Sequence, residues 1–183
     1  MILSIAPRIV LVKDVLTPEE CNDIINSELT FTESKIYENA SIDSTVRSSH
    51  THYDRQDEFG FLKSLATELA EKHSPNKNVK YVSENISIQR YEVNQEYKQH
   101  CDFGDNNNRI ATAIFYLNED FVGGDTFFGK LSMSVEPESG SCLLFYYDND
   151  NTALRNLTSH GGNPVTKGTK YIATAWMKNH ESP

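Results

Sequence analysis

YEVNQEYKQHCDFG, residues Tyr91 to Gly104, opens like a β-strand and ends on His100-Cys101-Asp102. A histidine and an aspartate are costly to bury unless something pairs with them. On an extended chain, residues two apart point to the same side, so His100 and Asp102 are expected to share one face and Cys101 to point the other way. Two ligand-type side chains on one face suggest a metal. A hydrogen-bonded His–Asp pair that merely holds a strand is the plainer alternative, and a third ligand decides between them.

The surroundings of this stretch set the fold. After residue 80 come short β-rich runs: NISIQRYEV, RIATAIFYL, GDTFFG, LSMSVEP, SCLLFYY and KYIATAWM. Between them lie DNNN, Gly123-Gly124, Pro137 with Gly140, DNDN and Gly161-Gly162-Asn163-Pro164. Many short strands separated by such turn residues read as a sandwich or barrel.

Upstream, RIVLV at residues 8–12 reads as a buried strand. Thr17-Pro18-Glu19-Glu20 starts a helix, with Thr17 as cap, Pro18 in the first turn and Glu20 closing a capping box. Cys21, Ile24, Ile25 and Leu29 give that helix its apolar stripe. Residues 30–56 are polar and irregular, with a short strand expected around Ser44–Ser49. A second helix is expected from Asp57 to His73, with Phe61, Leu62, Leu65 and Leu69 as its stripe and Pro75 beyond its end. The expected class is mainly β with packed helices (α+β), a jelly-roll core with N-terminal helices on one face. One domain is expected over residues 1–183, in which 1–80 supply helices and loop and 81–183 the β core.

The chain has 183 residues and a formal net charge of −9. Such a surface repels a phosphate backbone, so nucleic acid is excluded as a general partner. Cys21, Cys101 and Cys142 are few, odd in number and far apart, which argues against a disulfide scaffold and suits a reducing compartment. MILSIAPRIVLVKD is interrupted by Pro7 and Arg8 and lacks a basic leading region, so it reads as a first strand rather than a signal peptide. No apolar run is long enough to span a membrane. A cytoplasmic protein without a membrane partner is the expectation; no feature sets an oligomeric state.

The third ligand is sought among the remaining histidines. His73 ends a helix, where a cation suits the dipole, and His180 lies in a polar tail. His50 and His52 form an H-x-H pair that binds a metal only if the segment is extended. His160 lies in LTSHGGNPVTKGTKYIATAWM, where glycines and Pro164 mark a connection between strands. His160 and Lys170 are therefore expected close together across a hairpin. Lys170 opens an otherwise apolar strand and needs an anionic partner that this strand does not contain. A ligand carboxylate would serve, although a lysine can also guard a strand edge. Two histidines and one carboxylate make the facial triad of non-haem Fe(II) oxygenases. An iron held so can bind a 2-oxo acid and dioxygen, and a lysine that captures the far carboxylate of 2-oxoglutarate completes the set. The same ligands also suit a zinc hydrolase, but such a site has no use for Lys170 and lacks a general base.

These residues resemble the prolyl 4-hydroxylase family of Fe(II)/2-oxoglutarate dioxygenases. The resemblance covers roughly residues 82–177 and rests on QRYEV, YKQHCDF, RIATAIFYLN, VGGDTFFG, SCLLFYY and SHGGNPVTKGTKYIATAW in that order. It implies a double-stranded β-helix of the jelly-roll, cupin-like kind. It implies His100, Asp102 and His160 as iron ligands and Lys170 as the partner of the distal 2-oxoglutarate carboxylate. Tyr91 and Thr126 are implied as hydrogen-bonding helpers to 2-oxoglutarate, and Tyr97, Arg109 and Trp176 as substrate contacts near the iron. Each of these five also has an ordinary reading: packing for Tyr91, Tyr97 and Trp176, β-propensity for Thr126, a solvated charge for Arg109.

The implied co-substrates are 2-oxoglutarate and O2, with Fe(II) as metal and ascorbate as reductant. The implied reaction hydroxylates a prolyl residue in a peptide or protein and releases succinate and CO2. Thr45–Ser49 resembles the V-R-T/S-S stretch that borders a mobile loop over the peptide groove in plant and algal relatives. The chain departs from the family at Lys178, where close relatives tend to have a histidine, and at Cys101, often an aromatic residue. Those departures keep two other readings open: a 2-oxoglutarate oxygenase acting on another side chain or a small molecule, and a non-catalytic jelly-roll binding module.

Overall fold

The computed structural model describes residues 1–36, 42–104, 108–147 and 151–180. Among them, nine strands form the major sheet: β1 (Ile2–Ser4), β2 (Ile9–Val12), β3 (Thr32–Glu33), β4 (His50–Tyr53), β5 (Tyr81–Ser83), β6 (Ser87–Tyr91), β8 (Arg109–Tyr116), β12 (Cys142–Tyr146) and β15 (Lys170–Asn179). Their order is β1-β2-β12-β8-β15-β6-β4-β3, with β5 added on β15. A minor sheet of four strands contains β7 (Tyr97–His100), β10 (Thr126–Phe128), β11 (Met133–Val135) and β13 (His160–Gly162), in the order β11-β10-β13-β7. β9 (Val122–Gly123) and β14 (Val165–Lys167) pair separately. The helices are α1 (Pro18–Asn26), α2 (Gly60–His73) and the short α3 (Thr152–Asn156). The protein is mainly β with few helices.

The period of two along the central strands explains why they read as unbroken apolar runs. On β8, Ala111, Ala113 and Phe115 enter one buried cluster while Ile114 and Tyr116 enter another. β12 does the same, with Cys142, Leu144 and Tyr146 on one side and Leu143 and Phe145 on the other. A strand covered on both faces loses the apolar/polar alternation. The first cluster also contains Cys21 and Ile24 of α1 and Leu62, Ala66, Leu69 and Ala70 of α2. The second lies between the sheets and joins Phe128 and Val135 of the minor sheet to Leu143, Phe145 and Ile172 of the major one.

Several local expectations need adjustment. α1 begins where its capping box predicts, with Thr17 Oγ1 accepting from the Glu20 amide and Glu20 accepting from the Thr17 amide. α2 starts at Gly60 rather than Asp57, because the Asp54 carboxylate binds the amides of Gln56, Glu58 and Phe59 and holds a turn there. No strand forms over Ser44–Ser49. Asp43 accepts from the Thr45 amide and hydroxyl and closes a turn, leaving a single bridge from Arg47 to Tyr97. The strand lies just beyond, at β4, and contains the H-x-H pair. His52 Nδ1 accepts from the Thr30 amide and His50 Nδ1 meets Gln95, so these two histidines are engaged separately. Residues 37–41 of the irregular segment, and 105–107 and 148–150 of the DNNN and DNDN turns, lie outside the described residues.

The expected hairpin between His160 and Lys170 is replaced by a crossover. β13 pairs with β7 and β10 in the minor sheet, whereas β15 runs between β6 and β8 in the major one. β14 intervenes and pairs with β9, and Gly168, at φ +78, turns the chain towards β15. Lys170 therefore stands in a central strand, and the strand-edge reading falls.

Leu62 is fully buried between α2 and the major sheet. Leu62→Ala is expected to destabilise the fold by about 2–5 kcal/mol, the range for leucine truncation in a packed core. Denaturant unfolding followed by circular dichroism measures it.

Candidate active site

The parity of β15 builds one wall of a cavity. Lys170, Ile172, Thr174 and Trp176 all line it, while the alternate residues Ala173, Ala175 and Met177 face the cluster that holds the helices. Gln89 and Tyr91 extend the wall from β6, and Thr126 contributes from β10.

His100, Asp102 and His160 converge at the same cavity, one ligand atom from each lying within 4.8 Å of the others. Their placement differs from simple strand alternation. β7 stops at His100, and Asp102 follows in a bend beyond the strand end. His160 arrives from β13, which pairs His160 directly with His100. His100 Nε2 lies 3.4 Å from Asp102 Oδ1, and His160 Nε2 lies 3.6 Å from Asp102 Oδ2. Cys101 lines a neighbouring groove and is not part of the cluster.

The ring nitrogens on the far side fix how these histidines present themselves. His100 Nδ1 meets the Lys98 carbonyl at 2.8 Å and His160 Nδ1 meets the Thr158 carbonyl at 3.0 Å. A carbonyl accepts only, so both Nδ1 atoms carry a proton, and Nε2 of each ring is the nitrogen that faces Asp102. Burial, followed by the neighbouring His100, pulls the His160 imidazole down to about 4, which keeps it neutral at neutral pH. Burial pushes the Asp102 carboxyl up, but His160, His100 and the Thr112 hydroxyl outweigh it and hold the group well below the usual carboxylate range. Two imidazoles and a carboxylate are the donor set that a divalent iron takes with open positions left over.

A second layer holds the carboxylate. Thr112 Oγ1 donates to Asp102 Oδ2 at 2.7 Å. Having spent its proton there, Thr112 accepts from the Tyr147 hydroxyl at 2.9 Å.

Lys170 is 3 % exposed and donates from Nζ to the Gly124 carbonyl at 2.5 Å. Burial pulls its ammonium down to about 8, with Asp125 opposing. The Tyr91 and Tyr116 rings lie 5.3 Å and 5.8 Å from Nζ. The Tyr116 hydroxyl donates to Thr126 Oγ1 at 2.8 Å, leaving the Thr126 proton free to donate elsewhere. Gly124 is required here: φ is +69, and a Cβ would come within 3.1 Å of Lys170 Cδ. Gly161 matters for the same reason beside His160, since a Cβ there would lie 2.7 Å from the Tyr97 carbonyl oxygen.

A groove adjoins the cavity and shares Arg47, Tyr97, Asp102 and Trp176 with it. Tyr97 stacks on His100 with centroids 3.6 Å apart, and burial pushes its hydroxyl up to about 12. Arg109 lines the groove but is no solvated charge. It is 9 % exposed, grips Glu84 through two nitrogens at 3.0 Å and 2.6 Å, and lies over the Trp176 ring at 4.2 Å. Lys178 joins the same carboxylate at 3.1 Å. Arg47, Gln89 and Glu84 were not singled out from sequence. Arg47 lay in the quoted Thr45–Ser49 stretch and Gln89 in the quoted QRYEV run, whereas Glu84 lies between β5 and β6, where no motif pointed to it.

Comparisons with known proteins give this geometry its family. Residues 86–178 match the 2OG-Fe(II) oxygenase superfamily. Prolyl 4-hydroxylase 1 of Arabidopsis thaliana is 31 % identical, over 97 % of this chain and 71 % of its own length. Prolyl 4-hydroxylase 5 of the same plant is 28 % identical, over 98 % and 71 %. The 2-oxoglutarate complex of the viral collagen prolyl hydroxylase from Paramecium Bursaria Chlorella virus-1 superimposes with a TM-score of 0.70 at 25 % identity, covering 92 % of this chain and 94 % of that one. The chain belongs to the 2OG-Fe(II) oxygenase superfamily and, within it, to the prolyl 4-hydroxylase-like family. It is a dioxygenase, and its family uses Fe(II), 2-oxoglutarate and O2. No helix of the described residues is long and apolar enough to cross a membrane.

Thr112→Val removes the donor to Asp102 and strands the Tyr147 hydroxyl. Metal affinity is expected to fall about 10- to 100-fold, as for other outer hydrogen bonds to a ligand, while Thr112→Ser restores most of it. Mn(II) or Co(II) titration of the metal-free protein measures both.

Proposed function

We propose that this chain hydroxylates prolyl residues in a peptide or protein, using Fe(II) held by His100, Asp102 and His160. The observation that carries the reading is the buried Lys170 in the same cavity as that cluster, a cation with no carboxylate of the described residues bonded to it. A 2-oxo dicarboxylate has one end for the metal and one for Lys170, which makes the cavity a co-substrate site rather than a bare metal site. The proline-directed names of the relatives support the choice of target. Iron bound there supplies dioxygen activation coupled to decarboxylation of 2-oxoglutarate to succinate and CO2. One oxygen atom ends in succinate and the other in the new hydroxyl group.

The chain's own residues bind and orient. Lys170 pairs with the distal carboxylate, and Tyr91 and the free Thr126 proton complete its hydrogen bonds. Tyr97, Arg109 and Trp176 form the wall against which the target residue is held. Thr112 and Tyr147 keep Asp102 ionised and in place. Residues 81–183 act as a double-stranded β-helix, and 1–80 brace its outer face within a single domain. Ascorbate is the reductant expected to sustain turnover.

Two experiments test this. Succinate formation from 2-oxoglutarate, Fe(II), ascorbate and O2 is expected to rise with proline-rich peptides and to vanish in His160→Ala. Slow turnover that no peptide accelerates would move the reading to another substrate. The second is a pH series. Lys170 is cationic below about 8 in the free protein, with Asp125 and the Tyr91 and Tyr116 rings as its neighbours. As pH rises through that value the cation is lost, so the 2-oxoglutarate Kd is expected to increase by up to about tenfold per pH unit above it. A Kd that stays flat to pH 10, or that Lys170→Ala leaves unchanged, removes Lys170 from the co-substrate site.

A further inference from the structure

Arg47 is 6 % exposed, yet every hydrogen bond it makes among the described residues is to a neutral group. Nε donates to Ser49 Oγ at 3.1 Å, Nη1 to the Lys35 carbonyl at 3.2 Å and Nη2 to Thr51 Oγ1 at 3.3 Å. No carboxylate of the described residues pairs with it. A buried cation without an anion is costly, and native structures supply the anion somewhere. The nearby Arg109 shows the satisfied version, locked to Glu84.

The location of Arg47 narrows the choice of anion. Its guanidinium lies over Tyr97 at 4.6 Å, and Tyr97 stacks on His100. Arg47 thus stands one aromatic ring away from the metal cluster, on the border between cavity and groove. The two carboxylates of 2-oxoglutarate are already assigned, one to the metal and one to Lys170. Asp102 is the sole carboxylate among the described residues lining the groove, whereas Arg47, Arg109 and Lys35 all line it. In a chain of net charge −9, this is a local reversal of sign. A second unmet donor lies alongside: the Trp176 indole N–H is buried and has no acceptor among the described residues.

We propose that the groove selects a peptide with a carboxylate side chain, aspartate or glutamate, next to the target residue, and that Arg47 is the partner of that carboxylate. This deepens the peptide-hydroxylase reading and rests on it. The net negative charge repels acidic peptides at long range, so the selectivity belongs to the short-range pair. A planar guanidinium suits a carboxylate by presenting parallel N–H groups.

The test is peptide binding to the holoenzyme with Fe(II) and saturating 2-oxoglutarate under anaerobic conditions, so that neither 2-oxoglutarate carboxylate is the one being read. Proline peptides with Asp or Glu on either side are compared with their Asn and Gln counterparts. The acidic peptides are expected to bind about tenfold or more tightly, the size of one charge-assisted hydrogen bond. That ratio is expected to collapse towards one in Arg47→Gln and to be largely kept in Arg47→Lys. Equal binding of acid and amide peptides by the unaltered protein overturns the proposal without any variant, as does a preference that survives in Arg47→Gln. If neutral proline peptides bind and stimulate succinate formation without an acidic preference, this inference falls and the prolyl reading stands. If acidic peptides bind preferentially but their prolines are not hydroxylated, the prolyl reading falls and the assignment of Arg47 stands. If no peptide binds, both fall.

Discussion

The site depends on one strand that is covered on both faces. β15 runs down the middle of the major sheet, with α1 and α2 contributing to the cluster on one side and the minor sheet lying on the other. Its period of two divides labour without exception from Lys170 to Met177. Odd positions are small or apolar and pack towards the helices, while even positions carry the lysine, the threonine and the tryptophan into the cavity. A one-residue slip of register would exchange the two sets and bury Lys170 among the helices. Ladders to β6 and β8 on both flanks hold the register against that slip.

Around this wall the protein manages several ionisable groups that would each be unfavourable alone. Asp102 lies among the Nε2 atoms of both histidines and accepts from the Thr112 hydroxyl, and these neighbours hold its carboxyl below the usual carboxylate range despite burial. Backbone carbonyls take the Nδ1 protons of both histidines, which removes the freedom of their tautomers. Lys170 and Arg47 are treated differently. Their partners are two carbonyls, two hydroxyls and aromatic faces, which ease burial without neutralising the charge. Burial of that kind leaves each cation able to pair with an anion from outside, as proposed for 2-oxoglutarate at Lys170 and for a peptide carboxylate at Arg47.

The minor sheet brings the ligands together although they are far apart in the chain. β7 and β13 pair so that His100 faces His160 across the ladder, with Gly161 allowing Tyr97 and Phe127 to close in beside them. Asp102, just past the end of β7, is free of the ladder and can turn back to both imidazoles. Strand alternation alone would put His100 and Asp102 on one face, whereas here Asp102 reaches the cluster from beyond the strand end. The ladder positions the histidines, and the strand end releases the aspartate.

Much of this was legible in the chain itself. Residue types and order singled out His100, Asp102, His160 and Lys170, which the structure brings to one cavity, and the β-rich core, because donor chemistry is a property of side chains and strands covered on both faces are mostly apolar. The capping box at Thr17 placed α1 correctly for an equally local reason. Tertiary structure decided what depends on distance across space. It turned the expected His160–Lys170 hairpin into two walls of one cavity, moved the strand from Ser44–Ser49 to β4, and showed that Arg109, expected as a substrate contact or a solvated charge, is paired with Glu84. It also revealed Arg47, which is buried with no carboxylate of the described residues paired to it, and a missing partner cannot be read from a sequence in which acids are plentiful. Local chemistry and short-range periodicity are written residue by residue. Pairing, enclosure and the balance of charge inside a cavity arise only when distant segments share the same few ångströms.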